Sequence, residues 1–243
     1  MTRRGYAAAV TIGVGALATA AAGVAADRPA RIVYHDAFTV THPGRATARL
    51  YSTRLSAPGD PHGKPPPVAH IHTELPLGAR YDGGAVPACT ATDAQVMVQG
   101  AAACPARSRV GRNDFVIDTG LPGAQRYLHE DLTYLNEPGG IKLLARDRTN
   151  GQKLVFHATV DGRSADVDMP PVLPGAPPDG GSPRSETAIV FKATGAGGRG
   201  FVTTPATCPR SRTWRFRFVY TFRDGRTQTV TSDQRCTRRR AQP

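Results

Sequence analysis

Thr213-Trp214-Arg215-Phe216-Arg217-Phe218-Val219-Tyr220-Thr221-Phe222 is the stretch that decides the fold. Trp214, Phe216, Phe218, Tyr220 and Phe222 recur at every second position, with Arg215, Arg217, Val219 and Thr221 between them. Side chains alternate across a β-strand, so this period puts five aromatics on one face and the arginines on the other. Asp224-Gly225 follows, and Thr227 to Ser232 then alternates again. Glycine accepts the positive φ of a tight primed turn, so the pair of runs reads as a hairpin. Five inward aromatics on a strand are read as core rather than as a sugar-binding stripe.

Working outward, the same reading repeats. Leu154, Phe156, Ala158 and Val160 alternate with Lys153, Val155, His157 and Thr159, and Asn150-Gly151 lies between them and Ile141 to Arg146, a second expected hairpin. Further expected strands are Arg31 to Tyr34, Phe38 to Thr41, Thr47 to Leu55, Val68 to Leu75, Phe115 to Asp118, Leu132 to Leu135 and Ala188 to Ala193. Thr92 to Val98 is expected as one short helical turn capped by Thr90 or Thr92. Many short strands punctuated by Gly and Pro predict an all-β fold, an antiparallel β-sandwich of immunoglobulin-like or related type. Asp168 to Ser185 holds six prolines and reads as an extended loop at 168–185. The part beyond it is short for an independent domain, so residues 27–243 are expected to form a single domain.

Residues 1–26 are set apart from the fold. Arg3 and Arg4 lead into a small apolar run from Ala7 to Gly23, and Val24-Ala25-Ala26 supplies the small residues of a cleavage site. This is the pattern of an export signal. The run is short and rich in Ala and Gly, whereas a spanning helix needs about 20 strongly apolar residues. The expected address is therefore extracytoplasmic, with no transmembrane anchor after cleavage. Oxidising conditions there make Cys89, Cys104, Cys208 and Cys236 candidate disulfides. Four cysteines allow three connectivities. They fall into two local groups, and pairing within them would stabilise the fold by roughly 3 and 3.6 kcal/mol on the chain-entropy model. Their spacings are too wide for zinc.

The formal charge is +12. Arginine dominates, spread along solvated strand faces, with one cluster at Arg235, Arg238, Arg239 and Arg240. On an exported protein this cluster is a candidate anion-binding patch for cell-wall polymer or a lipid surface. No recognition helix or stacking platform points to nucleic acid.

Two further stretches carry a resemblance. Pro87-x-Cys89 through Ala103-Cys104-Pro105-x-x-Ser108-x-Val110-Gly111 is one; Phe201-x-Thr203-Thr204-Pro205-x-x-Cys208, with Trp214-x-Phe216 and Phe222-x-Asp224-Gly225 up to Cys236, is the other. Together they resemble uncharacterised secreted, β-rich proteins of actinobacteria, across about half of the expected mature chain. The resemblance implies an extracytoplasmic compartment and a shared cysteine pairing, and no activity. Asn113 stands where those proteins often carry a second glycine, which implies a different turn at that point.

His70-Ile71-His72 is the one pattern with metal-site character. Residues two apart on a strand share a face, so both imidazoles can reach one copper or zinc ion. Glu74 shares that face, and His35, His62, His129 and His157 are candidate third ligands. The bland alternative is two exposed histidines on a polar strand face. Thr194 to Gly200 is glycine-rich but has no following helix to cradle phosphate, and reads as a loop. His129-Glu130-Asp131 reads as a solvated strand end. No G-x-S-x-G or H-E-x-x-H hydrolase motif occurs. The expectation is a secreted, non-enzymatic binding or structural protein of the cell envelope. Its partner would be an anionic polymer, a lipid surface or another exported protein, and no cofactor is expected. The alternative is an exported metal-binding protein or metalloenzyme built on His70 and His72.

Overall fold

The structure is a computed structural model that describes residues 29–171 and 181–237. The expected export segment and Arg238, Arg239 and Arg240 lie outside the described residues. The strands are β1 (Arg31–Phe38), β2 (Arg49–Ser56), β3 (Val68–Glu74), β4 (Arg80–Tyr81), β5 (Arg109–Asp118), β6 (Tyr127–Glu137) and β7 (Gly140–Asp147). After them come β8 (Lys153–Asp161), β9 (Ser164–Asp168), β10 (Ser182–Val190), β11 (Val202–Thr203), β12 (Thr213–Phe222) and β13 (Thr227–Arg235), with one α-helix, α1 (Asp93–Gln99). Helix α1 starts on Thr92, whose side chain accepts from the Gln95 N–H while the Gln95 side chain accepts from the Thr92 N–H.

Eleven strands form one sheet in the order β1-β2-β10-β5-β6-β7-β8-β9-β3-β12-β13, each neighbouring pair antiparallel. The all-β, antiparallel expectation holds. In place of two face-packed sheets, however, a single sheet curls until β1 and β13 lie side by side, a nearly closed barrel. The ladder runs unbroken from β1 to β13, so strand twist accumulates in one direction and rolls the sheet up. β4 and β11 form a separate two-stranded pair.

An odd number of alternating strands has a geometric consequence: β1 and β13 meet running the same way. Side chains of β13 bridge this seam. Asp36 N–H donates to Ser232 Oγ (2.9 Å), and Phe38 N–H donates to Gln234 Oε1 (2.9 Å). Gln234 Nε2 returns a bond to the Phe38 carbonyl (2.7 Å), and Gln228 Nε2 donates to that of Ala30 (2.8 Å). Inside the seam, Phe38 packs edge-on against Trp214 and Phe216, and Tyr34 against Phe218.

The β12 aromatics are all buried, as their period demands. At about 1.5–3 kcal/mol for each large side chain removed from water, this face is a main anchor of the core. Arg215 is exposed and Arg217 half-exposed on the opposite face. Gly225 takes φ +84° in the turn that joins β12 to β13. Ile141-Lys142-Leu143-Leu144-Ala145 breaks the alternation because both faces are covered there. Ile141, Leu143 and Ala145 join the central core, while Leu144 packs with Leu135 and Val96 beneath α1 and the Cys89–Cys104 disulfide.

Several boundaries differ from expectation. Arg31 to Tyr34 and Phe38 to Thr41, expected as two strands, give the single β1, which ends at Phe38, and the strand expected to reach Ala193 ends at Val190. Ser182 to Ser185 belongs to β10, with its register shifted between Pro183 and Ser185, where the missing proline N–H would interrupt a regular ladder. Asn113 lies within β5, so no turn occurs there.

Candidate functional site

Three places gather chemistry. The first is the outer face of β3, where His70, His72 and Glu74 line up as their spacing predicts. β9 lies alongside, and its register sets Asp168 opposite His70 and Asp166 opposite His72. His70 Nδ1 lies 2.8 Å from Asp168 and its Nε2 3.1 Å from Asp166. His72 Nδ1 lies 2.7 Å from Asp166 and its Nε2 3.1 Å from Glu74. Every ring nitrogen of the pair thus faces a carboxylate oxygen. Desolvation opposes charge on His72, but its bonds to Asp166 and Glu74 outweigh it and raise the pKa above the ordinary value. Among the described residues, no group of three or more His, Cys, Asp or Glu is placed to hold a metal ion. Of the candidate third ligands, His157 instead bonds Glu137 (2.6 Å) and Asp93 (3.0 Å).

The second place continues across the sheet from Glu74. Arg163, in the turn between β8 and β9, reaches Glu74 at 2.8 Å, and Arg217 on β12 reaches it at 3.1 Å. One carboxylate therefore serves two guanidiniums as well as His72. Beside them Arg215 makes two bonds to Asp233 (2.7 and 2.8 Å). A cleft of about 590 Å³ opens here, lined by Arg163, Arg215, Arg217 and the exposed Leu77, along with the buried Pro76 and Trp214. The Cys208–Cys236 disulfide clamps its far end, joining the approach to β12 with the exit from β13. The Cys236 N–H donates to the Arg212 carbonyl (2.8 Å), fixing a turn in which Arg210 and Arg212 are exposed. Arg235 is exposed opposite Thr213, which also lines the cleft.

The third place is the barrel lumen. Arg49 on β2 bonds Asp36 on β1 through Nε at 3.1 and 3.0 Å, both side chains almost fully buried. On the adjoining β10, Glu186 accepts from Thr53 and Asn113, each at 3.0 Å. Desolvation is the chief force that raises its pKa above the carboxylate range. Arg49, Asn113 and Glu186 border a cavity of about 90 Å³ whose other wall is apolar, from Ile71 to Phe218. That is roughly the space of three waters. Glu130 and Asp147 face one another on β6 and β7, both buried.

The chain matches no protein-family model, no curated protein and no solved structure.

The structure brings together Cys89 with Cys104 and Cys208 with Cys236, leaving no free cysteine. Two disulfides fit an oxidising, extracytoplasmic location. Among the described residues no helix is long and apolar enough to cross a membrane. Of the basic cluster, Arg235 is placed at the edge of the cleft face. Sequence reasoning missed Arg163 and Leu77, and though it put Glu74 on the histidine face, it gave no sign that Arg163 and Arg217, distant in the chain, converge on it. Glu130, expected on a solvated strand end, points into the barrel because β6 extends to Tyr127 and turns its even-numbered residues inward. The available signal was the alternation of Leu128, Glu130, Leu132 and Tyr134.

Proposed function

We propose that this chain is an exported, non-enzymatic binding protein of the cell envelope that holds anionic polymer on its β12–β13 face. The observation that carries the reading is the grouping of arginines on a disulfide-clamped surface. Arg210, Arg212, Arg215, Arg217 and Arg235 stand on one hairpin and its approach, and Cys208–Cys236 ties that hairpin's open end. Clamping lowers the conformational freedom lost when charged side chains engage a ligand. Arginine also presents a planar fork suited to carboxylate and phosphate oxygens. The export pattern and the basic composition support the same reading.

The test is binding of the purified protein to isolated cell envelopes across a salt series. Exposed charges are screened over about 10 Å at 0.1 M salt, so binding is expected to fall steeply as salt rises. Replacing Arg210, Arg212 and Arg235 together by Gln is expected to weaken binding and flatten the salt dependence. Absent binding at low salt, or binding indifferent to salt, would overturn the proposal.

A further inference from the structure

We infer that the cleft over β3, β12 and β13 is a binding site for a carboxylate-bearing glycan segment, an inference that rests on the envelope-binding reading. Its size is one argument: about 590 Å³ lies within the range of ligand clefts, about 300–1,000 Å³. Its mixed chemistry is another. Arg163, Arg215 and Arg217 line it together with the exposed Leu77 and Pro209. Leu77 is 86% exposed, more than any other large hydrophobic among the described residues, and contributes nothing to the core. A sugar ring has the matching duality, with C–H faces for proline and leucine and oxygens for guanidinium.

Charge selects an acidic sugar. Glu74 is shared by Arg163 and Arg217, so the pair carries one positive charge more than its carboxylate cancels. Glu74 and Asp233 hold the three guanidinium heads in place, two carboxylates against three positive charges. Arg163 is fixed further by an Nη1 bond to the Leu75 carbonyl at 2.8 Å. A carboxylate entering the cleft would meet guanidinium donors already oriented, the geometry in which bidentate pairs form. Concavity favours a chain laid into the cleft over the flat headgroup layer of a membrane. Trp214, buried in the barrel core, is among the lining residues, and its Nε1–H has no partner among the described residues.

The experiment uses the full chain with its disulfides intact, titrated with oligogalacturonate, neutral dextran and phosphatidylglycerol vesicles. Oligogalacturonate is expected to bind and dextran not to bind. Leu77→Ser, at an exposed position, and Arg217→Gln are each expected to weaken oligogalacturonate binding by about tenfold, while thermal unfolding stays close to the parent. Vesicle binding without oligogalacturonate binding would overturn the inference. So would oligogalacturonate binding that neither substitution changes. If both variants still bind whole envelopes as the parent does, the cleft assignment fails and the envelope reading stands. If the parent binds no envelopes at low salt, the envelope reading fails first.

Discussion

Glu130 offers the sharpest quantitative test of the barrel interior. The residue is 1% exposed, and neither carboxylate oxygen has a hydrogen-bond partner among the described residues. Asp147 sits directly opposite on β7, fully buried, with Oδ2 also unpartnered. Desolvation, then the charges of Asp147 and Asp131, push the Glu130 pKa from 4.5 up to about 7. A carboxyl whose folded pKa is raised binds its proton more tightly when folded. Its contribution to stability is therefore full below about pH 4.5, declines as pH rises to about 7, and is level above that. At about 1.36 kcal/mol per unit, ionised Glu130 costs on the order of 3 kcal/mol at pH 8. Glu130→Gln imitates the protonated acid. We expect the variant to match the parent near pH 5 and to exceed it by up to about 3 kcal/mol at pH 8. Urea unfolding followed by the fluorescence of the single tryptophan, from pH 5 to 8 with disulfides oxidised, measures both curves. His72 and His157, whose pKa values are raised, also lose stability as pH rises, but they are common to both proteins and cancel in the difference. A difference between parent and variant that stays constant with pH would refute the reasoning.

Three further outcomes are expected. Replacing Cys208 and Cys236 by Ser should cost about 3.6 kcal/mol, and replacing Cys89 and Cys104 about 3 kcal/mol, read as shifts in urea midpoint at unchanged slope. Arg49→Met should destabilise by about 3–5 kcal/mol by leaving Asp36 buried without its partner, and Asp36→Leu added to it should restore much of the loss. Gly195→Ala should destabilise by about 1–3 kcal/mol or prevent folding, because its Cβ would lie 1.7 Å from the Ala85 carbonyl oxygen; thermal unfolding reads it directly.

Local pattern was legible and long-range pairing was not. β12 has the bounds its aromatic period predicts, and α1 begins one residue past Thr92, its capping residue. Period two also put His70 and His72 on one face. It says nothing of strand order, which inserts β10 between β2 and β5 and β3 between β9 and β12. That order brings Asp166 and Asp168 to the histidines, and Arg163 and Arg217 to Glu74. A sandwich and a rolled sheet use the same alternating strands, so inward and outward positions could be read while closure could not. Glu130 shows a different limit: the expected strand begins at Leu132, so the inward register that β6 carries back to Glu130 fell outside it.

The side-chain seam between β1 and β13 bears on how the molecule comes to be. Its hydrogen-bonded partners lie 196 or more residues apart, so the joint is made of the longest-range contacts in the chain. Every other lateral joint can begin to zip from a turn or from a strand already in place. This one waits until the last hairpin has docked on β3 and swung its aromatic face over Phe38 and Tyr34. Contacts of such separation carry the greatest loop-closure cost and form late. Until then the aromatic face lies open to solvent and to other chains. The barrel is thus protected from aggregation by its final step rather than by its first.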